Sequence, residues 1–155
     1  MARRTAALVR GAKGATVVAV AFVVAAVIGV FGPVPAAQAG SSCIPPFCSH
    51  TNNNSSLGVY VGHDWLCGGS SGTARDESCV AANPRMWISP GGGTPWNQDW
   101  DAFRVDAGYC YRVDFSQPFY AWSTTYNRSN NSAVWVKVED DTVATVMAQR
   151  YGSCP

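Results

Sequence analysis

All six cysteines of this 155-residue chain, Cys43, Cys48, Cys67, Cys79, Cys110 and Cys154, lie beyond position 42. An even set of cysteines in a short exported chain reads as a disulfide framework rather than as thiols. The segment before them supplies the export signal. Arg3, Arg4, Arg10 and Lys13 precede an apolar run from Ala15 to Phe31, Gly32-Pro33 ends that run, and small residues flank Gln38 in Ala37-Gln38-Ala39. A basic region, an apolar region and an Ala-x-Ala site form a secretory signal peptide, with cleavage expected after Ala39. The apolar run is short for a membrane span of about 20 residues. Arg3-Arg4 lacks the Phe-Leu context of a twin-arginine signal, so Sec export is expected. The mature chain is then 40–155, or 116 of the 155 residues.

Removing the leader changes the charge. Four of the 11 basic residues lie in it and none of the ten acidic ones, which leaves seven against ten and a net charge of −3. Such a surface has no basic stripe with which to displace counterions, so nucleic acid is excluded as a general partner. No second apolar stretch is long enough to span a bilayer, so no membrane contact is expected after cleavage. A chain of this length suits one domain.

Six cysteines allow about fifteen pairings, and the sequence does not choose among them. Nearest-neighbour pairing is the expectation: Cys43–Cys48, Cys67–Cys79 and Cys110–Cys154. A zinc site is not expected, because no Cys-x-x-Cys occurs and neither His50 nor His63 has a regular spacing to the sulfurs. No other metal or cofactor is expected.

Residues 40–56 carry no apolar periodicity. Ser41-Ser42 opens the stretch and Thr51-Asn52-Asn53-Asn54-Ser55-Ser56 closes it, which predicts a flexible arm. Within the arm, Cys43 and Cys48 would close a small ring around Ile44, Pro45, Pro46 and Phe47. The prolines fix φ and lower the entropy of that ring before any partner arrives. From residue 57 to 155 the pattern is that of strands. Leu57–Val61, Met86–Ile88, Asp101–Val105, Tyr109–Phe115, Phe119–Tyr126, Ala133–Val138 and Thr142–Gln149 are the candidates, most with period-two alternation. Tyr109, Tyr111, Val113 and Phe115 share one face, against Cys110, Arg112 and Asp114. Glu139-Asp140-Asp141 reads as a hairpin turn between the last two strands. Gly62–Asn83 reads as loops stapled by Cys67–Cys79. The expected fold is all-β: a small, disulfide-stapled antiparallel β-sandwich or partly closed barrel with a flexible N-terminal arm.

Six tryptophans are many for so small a domain. Trp96 and Trp100 lie in the Pro/Asn-rich run Thr94-Pro95-Trp96-Asn97-Gln98-Asp99-Trp100-Asp101, where flat indoles beside amide and carboxylate groups suit a sugar ring or a protein partner. The same indoles could instead close the end of a small core. No catalytic residues are expected. His63-Asp64 with Arg75, Asp76 and Glu77 is a general acid–base set only if the fold gathers it. Gly68-Gly69-Ser70-Ser71-Gly72 does not match Gly-x-Ser-x-Gly. Asp99, Asp101 and Asp106 lack the glycine and glutamate of a calcium loop.

Ile44-Pro45-Pro46-Phe47-Cys48 resembles the tail of the Bowman–Birk inhibitor loop, which reads Ile-Pro-Pro-x-Cys. In that family a serine and the specificity residue precede the isoleucine, whereas here Cys43 stands in the serine's place, so the reactive bond has no counterpart. The layout of signal peptide, cysteine-bearing N-terminal arm and compact β domain resembles the small adaptor subunit of the umbrella toxin particles secreted by filamentous actinobacteria. That resemblance implies a secreted, non-enzymatic adaptor that joins extracellular protein partners, one of them a trypsin-like or lectin-bearing subunit. Its expected contacts are Ile44, Pro45, Pro46 and Phe47 with Trp96 and Trp100. The alternatives are a carbohydrate-binding domain using Trp96 and Trp100, and an inhibitor of an extracellular hydrolase.

Overall fold

The computed structural model describes residues 43–155; the signal peptide expected over 1–39 and the first residues of the arm lie outside that range. Among the described residues, nine strands form two sheets. One contains β1 (His50–Asn53), β9 (Val143–Tyr151), β6 (Tyr109–Gln117) and β7 (Tyr120–Asn127), in that order. The other contains β3 (Ala74–Arg75), β8 (Val134–Lys137), β5 (Ala102–Val105), β2 (Val59–Gly62) and β4 (Arg85–Ile88). All these pairings are antiparallel except that of β1 with β9. The fold is therefore a β-sandwich and not a closed barrel.

Alternation in the sequence explains the core. Tyr111, Val113 and Phe115 of β6 point inward and share one buried cluster with Val59, Val61, Phe103, Val136, Ala144 and Val146 from both sheets. β8 is buried on both faces, because Trp135 points away from this core into a smaller one with Trp65, Cys79, Val80 and Ala102. The Gly62–Asn83 loops, tied by Cys67–Cys79, cover that outer face. Arg85 lies over the Trp135 ring at 4.7 Å, and the indole N–H donates to Glu77 Oε2 at 2.7 Å. The second core thus draws three of its five buried members, Trp65, Cys79 and Val80, from the stapled loops, so staple and core depend on each other.

The three disulfides are Cys43–Cys48, Cys67–Cys79 and Cys110–Cys154, the nearest-neighbour set. Cys110–Cys154 ties β6 to the end of the chain across 44 residues. Closing such a loop in the unfolded chain contributes about 4 kcal/mol in the chain-entropy description.

Two expectations are corrected. The arm does not run as far as residue 56. His50–Asn53 is a sheet strand whose Thr51 pairs with Ala144 and whose Asn53 pairs with Val146. Ser49, His50, Thr51, Asn53 and Ser55 are buried inside the fold. Asn53 Nδ2 donates to the Leu57 and Ile88 carbonyls, while its Oδ1 accepts from Ser55 N–H and Ser55 Oγ. Gly93 allows β1 to lie this close, since a Cβ there would come within 2.7 Å of Asn52 Oδ1. Secondly, Glu139–Asp141 is no hairpin turn. β8 and β9 belong to different sheets, so the turn carries the chain across the sandwich, with Asp141 at φ 63°.

Candidate functional site

The expected contact residues divide once they are placed. Ile44, Pro45, Pro46 and Phe47 are all exposed, Ile44 by 78% and Phe47 by 61%. The ring they form is held at its base. Cys48 is buried, Ser49 N–H donates to Asp99 Oδ1 at 2.8 Å, and His50 N–H donates to the Thr142 carbonyl at 3.0 Å. Trp96 is also exposed, by 54%, and lies flat on the His50 imidazole. Trp100 is not a surface residue. It is 4% exposed, belongs to the main core, and meets His63 edge-on at 5.4 Å. Its N–H donates to Gln98 Oε1, so neither the indole face nor its polar edge is free for a ligand. The Trp96–Trp100 pair expected for a sugar is thus reduced to Trp96.

His50 is buried, and both of its ring nitrogens have partners. Thr94 Oγ1 lies 2.8 Å from Nδ1 and Asn52 Oδ1 lies 2.9 Å from Nε2. An amide oxygen can only accept, so Nε2 carries the proton and Nδ1 accepts from Thr94. Burial lowers the imidazole's pKa, with the Asn52 hydrogen bond opposing it. His63 bonds Asp64 through Nδ1 at 2.8 Å, but the charged residues that would complete an acid–base set serve the fold instead. Asp76 caps the single turn Glu77–Cys79 through Ser78, and Glu77 lies 2.9 Å from Arg104 Nε while also holding Trp135.

Asp99 and Asp101 do meet, with Asp140 rather than Asp106 as the third member; their carboxylate oxygens lie within 4.8 Å of one another. Asp106 instead accepts from the Tyr111 hydroxyl at 3.2 Å. Ser49 donates to Asp99 and Asp101, and Trp65 N–H donates to Asp101 Oδ2 at 3.0 Å. Burial pushes Asp101 up to about 7, and the Asp99 charge adds to the shift. Asp140 is raised as well, by partial burial and by Asp99. The triad therefore tends to hold a proton, and it braces the base of the ring.

A cleft that the sequence did not advertise lies at the same end. Ser70, Ser71, Gln117, Tyr120, Trp122 and Glu139 line a cavity of about 310 Å³. Its floor is a network: Ser71 N–H donates to Glu139 Oε2, Glu139 N–H donates to Ser71 Oγ, and Thr142 Oγ1 bonds both Ser71 Oγ and Gln117 Nε2. Gly72, at φ +88°, turns the loop and presents its carbonyl to the Tyr126 hydroxyl at 2.9 Å. Thr142 joins the ring's base to the cleft, since its carbonyl receives His50 and its hydroxyl receives Gln117. No family model, curated protein or solved structure matches this chain.

Proposed function

We propose that this chain is a secreted, non-enzymatic adaptor that links extracellular protein partners through one end of its sandwich. The observation that carries the reading is the disulfide-closed ring, which displays Ile44 and Phe47 to solvent from a rigid base. Exposed apolar side chains on a pre-ordered loop lose little entropy on binding, and such residues form interface hot spots. Trp96 stands beside the ring's base, and the fully exposed Phe119 and the Tyr120 ring lie on the β6–β7 hairpin at the same end. Export accounts for the three disulfides and for the leader-like first 39 residues.

The narrower reading, a place in a toxin particle beside a trypsin-like or lectin-bearing subunit, rests on the resemblance to the umbrella-particle adaptor. A Pro-Pro ring with Cys43 in place of the inhibitory serine suits lying against a protease-like surface without being cut. Affinity capture from the native culture medium tests the adaptor reading. The tagged chain should bring down a defined partner, and Ile44→Asp with Phe47→Asp should abolish that capture without altering the circular dichroism spectrum or Tm. Equal capture by both forms would remove the reading.

A further inference from the structure

We propose that the cleft lined by Ser70, Ser71, Gln117, Tyr120, Trp122 and Glu139 binds a neutral saccharide. This site lies beside the ring, at the same end of the sandwich, and its argument does not depend on the adaptor reading.

The wall of the cleft is aromatic and ordered from beneath. Phe115, buried in the core, stacks with Trp122 at 4.9 Å and 8°, and Trp122 stacks in turn with Tyr120 at 5.1 Å and 22°. These near-parallel rings run from the core to the surface, where Tyr120 is 63% exposed. The rest of the lining is hydroxyl, amide and carboxylate. A pyranose matches that division, because it has apolar C–H faces for a ring to cover and a rim of hydroxyls that both donate and accept.

The polar groups keep capacity for a ligand after the floor network is counted. Gln117 spends one N–H on Thr142, which leaves its carbonyl oxygen to accept. Glu139 accepts from Ser71 through Oε2 and has Lys137 Nζ 3.4 Å from Oε1, and each carboxylate oxygen has a second lone pair. Ser70 adds a hydroxyl from an exposed loop position. Because the network fixes Gln117 and Glu139 before a ligand arrives, little side-chain entropy remains to be lost.

Charge selects the ligand class. Lys137, the cation beside Glu139, donates to the Gly69 carbonyl at 2.8 Å and lies 3.4 Å from that carboxylate, so its charge is balanced by Glu139 and the cleft carries no net positive charge to attract an anion. A sulfated or phosphorylated ligand would meet the Glu139 carboxylate. The cavity, about 310 Å³, is at the small end of ligand sites, which suits a short stretch or the end of an oligosaccharide.

The source of the sugar, polysaccharide or glycoprotein, is separated by the choice of probes. The mature chain is titrated with chitohexaose, cellohexaose and maltohexaose, and with a free high-mannose N-glycan, following the Trp122 indole N–H by NMR. Binding of at least one probe with a Kd of about 1 mM or tighter is expected. Tyr120→Ala should weaken it about tenfold and Ser70→Arg, which fills the cleft, should abolish it, with Tm unchanged in both. Phe47→Asp should leave it intact. The proposal is overturned if no probe moves the Trp122 signal, if Tyr120→Ala and Ser70→Arg bind as well as wild type, or if heparin hexasaccharide binds more tightly than every neutral probe.

Discussion

The Trp96 indole lies flat on the His50 imidazole, with ring centroids 3.6 Å apart and planes inclined by 13°. It shields a buried histidine whose two nitrogens are already bonded to Thr94 and Asn52. That contact locks the loop bearing Trp96 to the strand that carries the ring.

The acid limit of the fold should follow from this pair. Burial lowers the His50 pKa in the folded chain, so between that value and about 6.5 the unfolded chain binds more protons. Stability contributed by neutral His50 is therefore complete above pH 6.5 and is lost as pH falls below it. Trp96→Ala should remove about 1 kcal/mol of stacking and let the pKa rise toward that of a free imidazole. An NMR titration of His50 in both forms measures the shift.

Asp101 should act in the opposite sense. Its folded pKa of about 7 stands above the ordinary 3.8, so its effect favours the fold below pH 4 and is lost as pH rises to 7. Asp101→Asn keeps an acceptor for Trp65 N–H and removes the buried charge. The variant is expected to gain on the order of 1–3 kcal/mol at pH 8 and to show a flatter profile between pH 4 and 7, by urea unfolding at each pH.

Trp100 and Trp96 should separate cleanly. Trp100→Ala empties a core site and should cost about 3–5 kcal/mol. Because Trp100 is buried, a fall in binding by that variant should track the loss of folded protein, measured by Tm on the same samples.

The alternation of β6, with Tyr111, Val113 and Phe115 inward, is legible in the sequence because period-two patterning follows directly from burial of one face. β1 is not. Its buried residues are polar, and Asn53 is satisfied by Ser55 and by the distant Ile88 carbonyl, a fact no composition reveals. Trp100 sits among Pro, Asn and Gln in the chain, yet its neighbours in space are core residues. The cleft joins segments near 70, 117–122 and 139, which are brought together by sheet topology alone. The turn at Glu139–Asp141 reads as a hairpin because strand pairing across two sheets leaves no local mark.

The boundary between ring and strand predicts a truncation series. Removal of residues 40–47 with Cys48→Ala should leave a folded domain, since the side chains at 44–47 face solvent. Removal of 40–56 should not, because it strips β1 from β9 and exposes Val146. Asn53→Ala alone should cost about 2–4 kcal/mol, as it leaves several buried polar groups unpaired. Chemical denaturation of each form provides the comparison.

Site-specific photo-crosslinking in native culture medium tests the proposed adaptor function most directly. A photoreactive amino acid is placed at Phe47, at Trp96, and at Asn130, an exposed position in the loop after β7. An adaptor that docks through the ring should attach to the same protein partner from positions 47 and 96, and not from position 130. Crosslinking at 130 with none at 47 or 96 would contradict it.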